Sequence, residues 1–134
     1  MDTDWQHVDD EACRRFQASV ELVGKRWSSG ILLAVAQGAS RFSEVIAAVP
    51  GLSDRLLAQR AKELEASGLL EREVIPSTPV QVHYHLTAQG RDLMDSLQPL
   101  VTWGQRWATP TAGGRSSNSA SRVALSRMRL DSLE

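Results

Sequence analysis

With one cysteine in 134 residues, this chain cannot close an intramolecular disulfide. A lone thiol suits a reducing compartment, so a cytoplasmic protein is expected, with Cys13 left as a free sulfhydryl. No apolar run approaches the length of a membrane span or a secretory leader, which removes the membrane as an expected partner. Charge of one sign is also lacking. The 15 Lys and Arg against 16 Asp and Glu leave a net charge of -1, which gives no global pull toward nucleic acid. There is no paired-carboxylate site, no nucleophile beside a plausible base and no phosphate-cradling glycine loop, so an enzyme is not expected and no cofactor is called for. What remains is long enough to bury one core without a metal or a disulfide.

The charges that are present are unevenly placed. Residues 1–24 carry Asp2, Asp4, Asp9, Asp10, Glu11 and Glu21 against Arg14 and Arg15, whereas residues 25–91 carry more cations than carboxylates. An acidic arm, residues 1–12, therefore precedes a mildly basic middle. From Thr109 to Ser121, Gly, Ser, Thr and Pro dominate, so residues 108–134 read as a solvated tail with a weakly signalled short helix at 122–133.

Apolar spacing supplies the elements. Ala12, Phe16, Val20 and Val23 recur at helical intervals behind acidic capping residues, giving a helix from Asp9 or Asp10 to about Val23 that Gly24 ends. A second helix spans about Trp27 to Ala36, and a third, capped by Ser40, runs from about Arg41 to Val49. Ser53 is the natural N-cap of a fourth, which stops at Ser67-Gly68. The period then changes to 2. Leu70 to Ile75 and Val80 to Leu86 flank Pro76-Ser77-Thr78-Pro79 and form a hairpin whose Val80, Val82, Tyr84 and Leu86 share a buried face. Thr87 caps a final helix to Trp107, in which Pro99 should cause a bend or a restart.

The fold class expected from this order is mainly α with a small β-hairpin, a winged helix-turn-helix. In PGLSDRLLAQRAKELEASGLLER (residues 50–72), Leu57, Ala61 and Leu64 form one apolar stripe with Leu56 at its edge, while Asp54, Arg55, Ala58, Gln59 and Lys62 point elsewhere. A major groove admits one helix, and Arg or Gln can pair there with guanine or adenine edges. The second face is therefore expected to read double-stranded DNA.

The stretch from Cys13 to Trp107 resembles the HxlR family of bacterial winged-helix transcription regulators, relatives of the MarR group. The matching pieces are Cys13, Gly24-Lys25-Arg26-Trp27, Ile31-Leu32, Gly38 with Arg41-Phe42-Ser43-Glu44, Pro50-Gly51-Leu52-Ser53, Leu64-Glu65 with Gly68-Leu69, Val82-His83-Tyr84-His85-Leu86-Thr87 with Gly90, and Trp103-Gly104. Two positions depart from the pattern: Ala61 stands where a larger aliphatic residue is expected, and Gln81 where a basic one is usual. The resemblance implies a domain over residues 13–107 with N- and C-terminal dimerisation helices. It implies a homodimer on a near-palindromic operator, with Phe16, Leu97, Leu100, Trp103 and Trp107 at the seam, and half-sites roughly 10 bp apart. It also implies a redox or electrophile switch at Cys13, which Arg14 and Arg15 flank on one side and Asp9, Asp10 and Glu11 on the other. A small aromatic effector held between the dimerisation helices and the DNA-binding part is the other form of control it suggests.

Each candidate has a plainer reading. Arg55 and Gln59 are the favoured base readers, with Asp54 and Lys62 beside them, yet the same residues suit a solvated helix face. Arg60 either meets DNA or pairs with Glu63 to support the helix. Arg41, at the start of the third helix, can hold a phosphate; Ser43 and Ser53 either donate to phosphate or cap. His83 and His85 can touch phosphate or sugar, and since no third ligand accompanies this pair, no metal is expected. The rival to DNA binding is a winged-helix module that docks another protein.

Overall fold

The computed structural model describes residues 5–110. The start of the acidic arm and most of the tail, including the helix expected at 122–133, lie outside the described residues. After a short 3-10 turn at Trp5–His7 the elements are α1 (Asp10–Gly24), α2 (Ser28–Ala36), α3 (Phe42–Ala48), α4 (Asp54–Ala66), β1 (Leu70–Ile75), β2 (Gln81–Leu86) and α5 (Ala88–Trp107). This is the mainly helical winged helix-turn-helix expected from the periodicity.

The core forms where the apolar stripes of α2, α3 and α4 meet. Ile31, Leu32, Val45, Leu57, Leu64 and Leu69 are its largest fully buried side chains. Truncating one of them to Ala would cost about 2–5 kcal/mol. Ala61 is also buried, so a small residue occupies the place where a larger one is usual. No helix among the described residues is long and apolar enough to cross a membrane.

Local chemistry explains most of the boundaries. Asp9 caps α1 by accepting from the Ala12 N–H at 2.8 Å, and Ser53 caps α4 by accepting from Leu56 at 3.1 Å. Gly68, at φ 81°, takes the left-handed turn that ends α4. Thr87 Oγ1 accepts from the Gly90 N–H at 2.9 Å and donates to the Gly68 carbonyl at 2.6 Å, so one hydroxyl both starts α5 and ties it to the end of α4.

Four expectations are corrected. Ser40 does not cap α3. The N-cap is Arg41, and the Glu44 carboxylate reaches back to the N–H groups of Ser40 and Arg41 at 3.0 and 2.9 Å. A carboxylate taking two backbone donors makes stronger, charge-assisted bonds than a hydroxyl taking one. Helix α2 begins at Ser28, because Trp27 stands in a left-handed conformation, φ 77°, that no helix continues. Strand β2 begins at Gln81, leaving Val80 exposed; Tyr84 is buried and Val82 and Leu86 half-buried, so one-sided burial holds only at the base of the hairpin. Finally, α5 runs through Pro99 as one helix, so no new segment starts there. The carbonyl that loses its partner belongs to Asp95, at an exposed position that water can serve.

Candidate nucleic-acid interface

Arg55, Gln59 and Lys62 follow one another at i, i+4 and i+7 on α4, so they share a stripe, and all three are exposed. Leu57, Ala61 and Leu64 on the opposite side are buried, which fixes the direction in which the stripe looks. Asp54 is exposed in the first turn. The Ser53 hydroxyl uses a lone pair on Leu56 and keeps its proton for another acceptor. Arg60 stands apart from this stripe. Its side chain is only 14% exposed, its Nε donates to the Arg26 carbonyl at 3.0 Å, and its Nη1 meets Glu63 at 3.2 Å.

The segment before α3 joins the wing. Tyr84 N–H donates to the Ser40 carbonyl at 2.8 Å, and Arg41 bridges His83 in antiparallel fashion, so two candidates far apart in sequence become neighbours. His83 is half-buried with both ring nitrogens engaged, Nδ1 with Ser40 Oγ at 2.9 Å and Nε2 with Gln81 Oε1 at 3.1 Å. His85 is exposed; it stacks on His83 with centroids 6.3 Å apart and meets Glu73 at 3.0 Å. Gln81, where a basic residue is usual, is thus spent on a histidine. Ser43 is exposed on α3.

A cleft of about 480 Å³ lies between α2, β2 and α5, lined in part by Val35, Leu86, Arg91 and Met94. No tryptophan lines it. A second, of about 700 Å³, separates α4 from the hairpin and is lined by Phe42, Ala58, Gln59, Lys62, Glu65, Arg72, Val82 and Tyr84. It holds two cations, Lys62 and Arg72, against one carboxylate. Arg72 was not among the residues expected from sequence. The register pairs it with Tyr84, on the side of the hairpin that carries Leu70 and Leu86. Arg72 itself is exposed, and a charge in line with Leu70 along the strand was the signal to follow. Burial pushes the Tyr84 phenol up, and the positive charge of Arg72 offsets part of that rise.

Residues 22–112 match the family described as HxlR-like helix-turn-helix. The chain belongs to the HxlR-like helix-turn-helix family. It is 43% identical over 101 residues to the uncharacterized HTH-type transcriptional regulator YvaP of Bacillus subtilis, covering 75% of this chain and 94% of that one. Among solved structures it is similar to the reduced form of the transcriptional regulator YodB from the same organism: 36% identity, TM-score 0.63, covering 74% of this chain and 97% of that one. The quinone-bound form of YodB aligns with TM-score 0.60 and 32% identity over 71% of this chain and all of that one. YvaP and YodB are both described as transcriptional regulators.

Two further features of this HxlR-type chain lie away from α4. Cys13 is exposed on α1, its sulfur 3.6 Å from Gln17 Nε2, while the neighbouring Arg15 is engaged by Glu11 at 2.6 Å. The terminal helices leave large apolar side chains uncovered. Helix α1 has no buried residue, and Phe16, Val20, Leu100, Val101, Trp103 and Trp107 are exposed, with Leu97 half-buried.

Proposed function

We propose that this HxlR-type regulator is a homodimer that binds a near-palindromic DNA operator, placing the two copies of α4 in successive major grooves. The observation that carries this reading is the exposed Arg55, Gln59 and Lys62 stripe on a helix whose other side is buried in the core. Arg55 and Gln59 read base edges; Lys62, Arg41, Ser43 and the free Ser53 proton hold phosphate, with Asp54 beside them and His83 and His85 on the flank of the wing. Arg60 supports α4 instead. The apolar residues Phe16, Leu97, Leu100, Trp103 and Trp107 form the seam, because so much exposed apolar surface on two terminal helices is the mark of an association face. DNA as the partner places the protein in the cytoplasm.

Cys13 serves as the switch. Its exposure and the likeness to a regulator solved with a quinone bound support addition of the thiolate to a small electrophile. In that step the sulfur forms a C–S bond with the quinone ring, which takes up the electron pair as a hydroquinone adduct. Fluorescence anisotropy tests both parts: a duplex from the region upstream of the gene is titrated with protein against excess random competitor, before and after quinone treatment. Competitor-resistant binding that quinone alters only when Cys13 is present is the expected result. A folded dimer that prefers no duplex would favour a protein-docking module.

A further inference from the structure

Helix α1 has nothing packed around most of its length. Within one chain every residue from Asp10 to Glu21 is exposed, Val23 is half-buried and Leu22 packs on the core, so before a partner docks on Phe16 the direction of α1 is set at Leu22–Trp27. Three groups grip that joint. Lys25 Nζ lies 2.9 Å from Glu63 Oε2. Arg60 donates through Nε to the Arg26 carbonyl at 3.0 Å and through Nη1 to Glu63 at 3.2 Å. The Trp27 ring presses on the α3–α4 turn, where a Cβ on Gly51 would lie 3.2 Å from it, while the Arg26 guanidinium sits 4.9 Å from the ring centroid. Glu63 and Arg60 both belong to α4, so the recognition helix itself holds the root of α1.

We infer that Glu63 and Arg60 are positioning residues that fix the angle between α1 and α4, and thereby the half-site spacing that the dimer accepts. The spacing part rests on the function proposed above; the angle does not. The geometry favours this role for Arg60 over a DNA contact, because its nearly covered guanidinium is engaged at the joint by the Arg26 carbonyl and Glu63. Glu63 sits beside that stripe, where a bare carboxylate would repel phosphate; Lys25 and Arg60 neutralise it. The lever is sensitive. A 13-residue helix is about 20 Å long, so a turn of about 10° displaces its far end by about 3 Å, close to one base-pair step.

The test uses the full chain carrying Cys13→Ser, with nitroxide labels at Ser19→Cys on α1 and Gln59→Cys on α4, diluted in unlabelled protein and measured by pulsed electron paramagnetic resonance. A narrow distance distribution in this parent should broaden at least twofold with Glu63→Gln or Lys25→Met and narrow again with Lys25→Arg. An unchanged width in variants that melt like the parent overturns the inference. Unlabelled protein is then titrated against palindromes with the native spacing and with one base pair more or less. Glu63→Gln should reduce a tenfold or greater spacing preference to less than threefold, whereas equal loss at all spacings overturns the spacing role. If the unsubstituted protein prefers no duplex, the proposed function fails while the distance measurement still decides the angle.

Discussion

Gly90 lies against Leu69 so closely that a Cβ on the glycine would run into the Leu69 carbonyl oxygen. This contact and the Thr87 hydroxyl seat α5 on the joint between α4 and β1, so the helix that carries Trp103 and Trp107 is set by the same backbone that ends α4.

Gly90→Ala should therefore destabilise the domain by about 1–3 kcal/mol or more, since the obstacle is backbone and cannot rotate away. Urea unfolding reads this as a lower midpoint at unchanged slope. A midpoint equal to that of the native protein would mean that α5 can lift from Leu69 without cost.

Arg55→Ala should weaken operator binding by about 1–3 kcal/mol and relax preference at one base pair. Arg41→Ala should weaken specific and random duplexes alike, because phosphate carries no sequence. Competition titrations separate the two, and parallel losses for both variants would contradict this division.

Arg72→Met has two readouts. Removing the cation that partly offsets the burial of Tyr84 should move ionisation of this single tyrosine to still higher pH, which absorbance titration follows. If Arg72 also faces phosphate across the cleft, the salt dependence of DNA binding should fall by about one unit of slope.

The acid side of the stability profile is set by carboxylates. The Glu44 carboxyl is held below its ordinary value by backbone hydrogen bonds, first from Arg41 and then from Ser40; Glu63 is held below its own by Lys25. A depressed folded value stabilises the fold above the unfolded value near 4.5 and loses that contribution as pH falls through the folded one. Stability should hold from neutrality to about pH 5 and then decline. Glu44→Gln should flatten that decline, and an unaltered acid profile would show that the two backbone bonds do not matter.

Trp103→Lys should convert the proposed dimer to monomer in sedimentation velocity while leaving helix content in place, since Trp103 is exposed and lies outside the core. A variant that remains dimeric would move the seam elsewhere.

Much of this protein is legible in its periodicity. Caps at Asp9, Ser53 and Thr87, the left-handed Gly68 and the change of period after it follow from interactions within four residues, which any reader of the chain can anticipate. The exposed stripe of α4 is equally local, because a helix with one buried side must turn the other outward. Ser40 misled for the opposite reason: as a cap it is an adequate local choice, and it was displaced by a stronger carboxylate and by pairing with Tyr84 and His83, more than forty residues away. Shorter separations hide Arg72 against Tyr84, across the hairpin, and Lys25 against Glu63, on different helices. The sequence by itself determined the elements and the helix that faces outward, since hydrogen-bond and apolar spacing act along the chain. Only the tertiary structure decided which charges are free for a partner and which grip the protein itself, because side chains on different elements meet only once the core has brought those elements together.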